Sequence, residues 1–133
     1  MSKLQVGVIG VGFWGRNHAR VFHELPNAEL KAVCDVNKER VRELVKKYSI
    51  NGYTDSQELL KREDVDAVSI CTWSTALAKE AVKSLNAGKH VFIEKPMAIN
   101  VEEAENVVKL AEKNGLYLMV GFIERFNPGV EKL

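Results

Sequence analysis

Three glycines in the run Val8-Ile9-Gly10-Val11-Gly12-Phe13-Trp14-Gly15, with Asp35 twenty residues beyond the last of them, could hold the phosphates and ribose of a nucleotide. Gly10 would make the tight turn out of a strand, Gly12 would let the backbone approach a pyrophosphate, and Gly15 would bring a helix against that strand. The phosphates would then meet the unpaired amides of a helix N-terminus. Asp35 would accept hydrogen bonds from ribose hydroxyls, and its charge would repel a 2′-phosphate, which favours NAD over NADP. Lys38 and Arg40 stand close enough in sequence to soften that preference. The plainer alternative is a glycine-rich strand-to-helix turn, with Asp35 as the N-cap of the following helix.

A second set of reactive groups gathers around Glu94-Lys95-Pro96 and Cys71-Thr72-Trp73. A residue before proline is biased away from helical geometry, so the chain turns out of its strand and can present Lys95 at a crevice. There a lysine could neutralise a substrate oxygen or, if desolvated, act as acid, base or amine nucleophile. Cys71 could attack as a thiolate. Against these stand a solvated surface lysine and a buried cysteine acting as a small hydrophobe. His18 and His23 are five residues apart and so do not share a helix face, and no metal site is expected. His90 reads as a partly buried polar residue at the start of a strand.

Apolar runs alternate with amphipathic stretches along the whole chain, which predicts a parallel sheet. Strands are expected over Leu4 to Gly10, Glu29 to Val36, near Tyr53, and over Asp66 to Thr72, His90 to Glu94 and Leu116 to Phe122. Helices are expected over Phe13 to Leu25, Asn37 to Tyr48, Ser56 to Arg62, Ser74 to Ala87 and Val101 to Asn114. Asp55 is a plausible cap, and Asn100 with Glu103 makes a capping-box-like pattern. Right-handed crossovers give the doubly wound order 3-2-1-4-5-6, a three-layer α/β/α Rossmann architecture. Its ligand crevice lies beyond the carboxyl ends of the strands, where Gly10 to Gly15, Asp35, Cys71 to Ser74, Glu94 to Pro96 and Phe122 would meet. With this strand order Cys34 and Cys71 are two strand spacings apart, about 9.5 Å, beyond the roughly 7 Å that a disulfide spans between Cα atoms.

The 133 residues fit one domain with a real core. Apolar residues make up 46% and charged residues 28%, with a formal net charge of +1, so no global field recruits nucleic acid or an anionic membrane. The N-terminus enters a strand with no charged leader, and no apolar run reaches membrane-spanning length, which reads as a soluble cytoplasmic protein. Asn127-Pro128 looks like an N-cap and first helical proline, and the chain stops soon after. Residues 1–133 are therefore expected to be a domain of something longer, or one deliberately isolated.

Gly10-Val11-Gly12-Phe13-Trp14-Gly15, Asp35, Ile70-Cys71-Thr72, the run Ala87-Gly88-Lys89-His90-Val91-Phe92-Ile93-Glu94-Lys95-Pro96 and Gly121 through Arg125-Phe126-Asn127-Pro128 together resemble the Gfo/Idh/MocA oxidoreductase family over essentially the whole chain. The glycine motif is shared by many dehydrogenases; the AGKHVF-EKP run is far more discriminating. The resemblance implies an NAD(P)-binding domain in which Gly10, Gly12, Phe13, Trp14, Gly15, Asp35, Thr72, Trp73, Glu94 and Lys95 contact the cofactor. Lys95 matches the lysine that assists catalysis beside the nicotinamide. It further implies a second α/β domain, absent here, that holds a sugar, sugar-nucleotide or polyol substrate and the oligomer interface. The chain departs from the family at Trp73, Leu77 and Phe122, where proline, histidine and a polar residue are usual. These three would line or approach the nicotinamide pocket, so a diverged or re-engineered pocket for an aromatic ligand, with Lys95 or Cys71 as nucleophile, is a competing reading. A non-enzymatic nucleotide-binding or interaction module is another. Exposed apolar side chains, with Phe126, Trp73 and Phe122 in view, suggest a homodimer.

Overall fold

The computed structural model describes residues 2–122 and 127–132. In chain order the elements are β1 (Leu4–Ile9), α1 (Phe13–Glu24), β2 (Ala28–Cys34), α2 (Lys38–Tyr48), β3 (Asn51–Tyr53), α3 (Ser56–Leu60), β4 (Ala67–Ile70), α4 (Ser74–Asn86), β5 (His90–Glu94), α5 (Val101–Lys113), β6 (Leu118–Gly121) and α6 (Pro128–Glu131). The six strands are parallel and lie in the order β3-β2-β1-β4-β5-β6, the Rossmann arrangement expected from the alternation of patterns.

Strand periodicity explains the layers. Successive β1 residues point to opposite faces, and both faces are buried. Val8 joins Leu30, Val33, Ala19, Val41 and Leu44 under α1 and α2. Ile9 joins Ala32, Ile70, Ile93, Leu77, Leu85 and Val107 under α3, α4 and α5. Strands β2, β4 and β6 end one or two residues inside their expected limits, at Cys34, Ile70 and Gly121, and the residues that follow form the turns at the carboxyl edge.

The caps follow the sequence closely. The Asp55 side chain accepts from Gln57 N, Asn100 from Glu103 N and Asn127 from Gly129 N, with Pro128 opening α6. Glu103 completes its capping interaction one residue earlier than the standard box, accepting from Ile99 N at 3.2 Å. Cys34 and Cys71 are both free thiols, and β1 runs between their strands. Among the described residues no helix is long and apolar enough to cross a membrane, and no three His, Cys, Asp or Glu side chains gather as a metal site. Phe126 and Arg125, named in the sequence motif, lie outside the described residues.

Candidate functional site: a cleft at the carboxyl edge of the sheet

The strand order reverses between β1 and β4, and there the carboxyl ends of β1, β2 and β4 open a cleft of about 650 Å³, within the roughly 300–1,000 Å³ of ordinary small-molecule sites. It is lined by Gly10, Gly12, Phe13, Trp14, Asp35, Thr72 and Trp73, all anticipated, together with Val36, Arg40, Ala76 and Glu80.

The glycine turn owes its shape to close backbone contacts. Gly10 has φ +87°, in the region that glycine alone enters freely, and its amide donates to the Cys34 carbonyl at 2.8 Å. A Cβ on Gly15 would stand 1.7 Å from the Gly10 carbonyl oxygen, so only glycine lets α1 start this near β1. A Cβ on Gly12 would meet nothing closer than Arg40 Nη1 at 3.5 Å; its missing side chain leaves open space on the cleft side. Helix α1 begins with no side-chain cap and no acidic residue in its first turn, so its leading amides remain available to an anion.

Asp35 both builds the site and faces it. Its Oδ2 accepts from Val11 N at 2.9 Å and its Oδ1 from Asn37 N at 2.8 Å, tying the glycine turn to the end of β2. The helix cap belongs instead to Asn37, whose side chain accepts from Glu39 N and Arg40 N. Each carboxylate oxygen carries a second lone pair, so two acceptor sites remain for ribose hydroxyls. Arg40 Nη1 lies 3.9 Å from Asp35 Oδ2, the nearest cation to that carboxylate.

The aromatic residues form the mouth of the cleft. Phe13 and Trp14 pack edge to face with centroids 5.3 Å apart, and Trp73 is 81% exposed at the start of α4. Leu77, by contrast, is 1% exposed in the core beneath α4, and Phe122 stands half-exposed beyond β6. Trp73, Leu77 and Phe122 therefore do not surround one ligand.

Glu94 and Lys95 lie at the end of β5, beside β4 and outside the residues that line the cleft. The Lys95 side chain is exposed and makes no ion pair among the described residues. Glu94 is engaged with His18, a partner that sequence reading did not assign to it. His18 Nε2 lies 2.8 Å from Glu94 Oε1 and Nδ1 lies 2.6 Å from Ser69 Oγ. A carboxylate only accepts, so Nε2 carries a proton and donates it to Glu94 Oε1. The signal in the sequence was slight: His18 follows Gly15 by three, on the helix face that turns toward the sheet.

Ser69 Oγ is also 4.0 Å from Cys71 Sγ. Burial pushes the Cys71 thiol up to about 12, against a lowering hydrogen bond from Ser69 and with a raising contribution from the Glu94 charge. Cys34 is likewise pushed up to about 12, first by burial and then by the charges of Glu80, Asp35 and Asp55. Both thiols are therefore in the protonated form at pH 7, the form that is the weaker nucleophile. Because both values stand above the unfolded range of about 8.5–9, the stability gained by keeping them protonated is complete below that range. It is lost as pH rises toward 12. Native protein at pH 8 is expected to react with a thiol reagent at least tenfold more slowly than the same chain in denaturant; equal rates would mean an accessible thiolate.

Comparison with known proteins follows the same lines. A profile of the Gfo/Idh/MocA oxidoreductase family, NAD-binding Rossmann fold, matches residues 4–122. The chain is 36% identical over 126 residues to 4-carboxy-2-hydroxymuconate-6-semialdehyde dehydrogenase of Sphingobium, covering 94% of the chain and 40% of the relative. It is 34% identical over 134 residues to inositol 2-dehydrogenase of Salmonella typhimurium, covering 98% and 40%. A crystal structure of scyllo-inositol dehydrogenase from Lactobacillus casei, with bound cofactor NAD(H) and scyllo-inositol, superposes with a TM-score of 0.91 at 27% identity, covering 98% of the chain and 39% of that structure. The chain thus spans about 40% of the length of the relatives it matches.

Proposed function

Because the chain belongs to the Gfo/Idh/MocA oxidoreductase family and is its NAD(P)-binding Rossmann domain, we propose that it is the cofactor half of a dehydrogenase acting on a hydroxyl of a polyol or sugar, with NAD preferred over NADP. The observation that carries this reading is the cleft itself, where an uncapped helix N-terminus, a side-chain-free Gly12 and the Asp35 carboxylate meet. Gly10, Gly12, Gly15, Phe13 and Trp14 would cradle the pyrophosphate, Asp35 would hold the ribose, and Thr72 and Trp73 would flank the dinucleotide. Held there, the dinucleotide would supply a nicotinamide able to take a hydride from a carbinol carbon.

Lys95 and Glu94 close the strand beyond that cleft. Lys95 is the residue we place nearest the reacting oxygen, where an ammonium can stabilise negative charge as the hydroxyl proton leaves. Near-attack geometry also needs a surface that fixes the substrate against the nicotinamide. The relatives are more than twice as long as this chain, and we assign the substrate-holding and oligomer-forming roles to a further domain. Self-association of the isolated domain through its exposed aromatic rim belongs to the same proposal.

Calorimetric titration with NADH and NADPH tests the reading. Saturable binding of NADH is expected, with NADPH at least about tenfold weaker, a difference of roughly 1.4 kcal/mol. Asp35→Ala should weaken NADH and bring the two affinities together, because the repulsion of the 2′-phosphate goes with the carboxylate while Arg40 stays. No saturable NADH binding would overturn the assignment.

A further inference from the structure

One charged side chain in the cleft lacks an explanation in phosphate or ribose binding. Glu80 projects from α4 into the cleft lining with its side chain 15% exposed. Its Oε1 lies 3.3 Å from Lys83 Nζ, while Oε2 is buried and has no partner. Thr72 Oγ1, in the same cleft, is also buried and unpartnered. A buried carboxylate oxygen without a donor costs the chain stability, and two such atoms in one cleft point to a ligand that supplies hydrogen bonds.

The position of Glu80 says which part of a ligand that is. With phosphates at Gly10 to Gly15 and ribose at Asp35, the base must lie beyond the ribose, among Val36, Thr54, Trp73, Ala76 and Glu80. Adenine carries N6–H₂ donors on its edge, whereas a 6-oxopurine carries an acceptor oxygen there. A carboxylate oxygen welcomes the first and repels the second.

We propose that Glu80 is the base-specificity residue of this domain, its Oε2 accepting the N6 amino group of adenine. This inference rests on the dinucleotide reading above. It gives α4 a recognition role separate from the phosphate and ribose contacts of the glycine turn and Asp35. Trp73 and Val36 then provide apolar cover for the base, and Glu80 sets its identity.

The test compares binding of NADH with binding of reduced nicotinamide hypoxanthine dinucleotide, which differs only at the purine 6-position, in the wild type and in Glu80→Gln. Wild type is expected to prefer NADH by about tenfold or more. Glu80→Gln, whose amide can donate to O6, should fold normally by circular dichroism and lose most of that preference. Equal wild-type affinities for the two dinucleotides, or an unchanged preference in Glu80→Gln, would overturn the role of Glu80 while leaving dinucleotide binding in place. Failure of both dinucleotides to bind the wild type would overturn both readings together. Glu80→Leu, which removes the buried charge altogether, should bind both dinucleotides with similar affinity; retained discrimination would likewise count against the assignment.

Discussion

Gly15→Ala is expected to leave the domain largely unfolded, while Gly12→Ala, three residues earlier in the same motif, should fold as the wild type does and lose its dinucleotide. The first change places a methyl group 1.7 Å from the Gly10 carbonyl oxygen. Both partners are backbone, so no side-chain rotation relieves the overlap, and α1 must move off β1 and β4. That displacement opens packing around Ala19, Val8 and Val11. A cost above about 5 kcal/mol follows from such core disruption, comparable to the whole stability of a domain at the lower end of the usual range of roughly 5–15 kcal/mol. The second change adds its methyl to open space, with only the mobile end of Arg40 at ordinary contact distance. Its folding cost should stay within about 0.5 kcal/mol, the usual range for a surface change. The same methyl stands where a pyrophosphate would approach the backbone, so NADH affinity should fall by tenfold or more. Urea melts followed by circular dichroism separate the two variants, and calorimetry on Gly12→Ala completes the comparison. A folded Gly15→Ala would mean that α1 can slide without loss. Wild-type NADH affinity in Gly12→Ala would remove the phosphate from this turn.

The difference between these two glycines also marks what a sequence can convey. Local patterns are short-range physics, and they were legible: the apolar run ending in Gly10, the caps at Asp55, Asn100 and Asn127, and the alternation that requires parallel strands. Asp35 was legible as a carboxylate at the end of β2, but its grip on Val11 N spans 24 residues, so its part in shaping the turn had no local signature. Leu77 shows the opposite case, since matching it to a family position suggested a cleft residue. Helical spacing places it in line with Ala81 and Ser84, and the structure buries it with them. Glu80 sits at the edge of that same stripe, and a charge there was the available hint. The link from His18 to Ser69 and Glu94 crosses 51 and 76 residues. It becomes visible only once α1, β4 and β5 are assembled, because contacts at that range depend on strand order rather than on any neighbouring residue.

Lys89→Met is expected to lower stability by roughly 2 kcal/mol and to leave NADH affinity unchanged, because this lysine serves the end of the sheet opposite the cleft. Lys89 belongs to the run that marks the family, yet it is 7% exposed, with Nζ donating to the carbonyls of Arg62 at 2.5 Å and Val65 at 2.7 Å. Those carbonyls lie in the connection from α3 to β4. Burial pushes the ammonium below its ordinary range, opposed by Asp66, Asp64 and Glu63, so the residue is retained at an electrostatic cost that its two hydrogen bonds must offset. Methionine keeps the apolar stem and removes both donors, leaving the carbonyls to find water or go unpaired. The urea midpoint should fall with the slope unchanged, the signature of lost stability without a change in exposed surface. An unchanged midpoint would mean that solvent replaces the ammonium at no cost. If the midpoint and the NADH affinity fell together in native buffer, the two ends of the sheet would be coupled. Independence is the expected result, since Lys89 enters β5 from its amino end and the cleft opens at the opposite, carboxyl edge of the sheet.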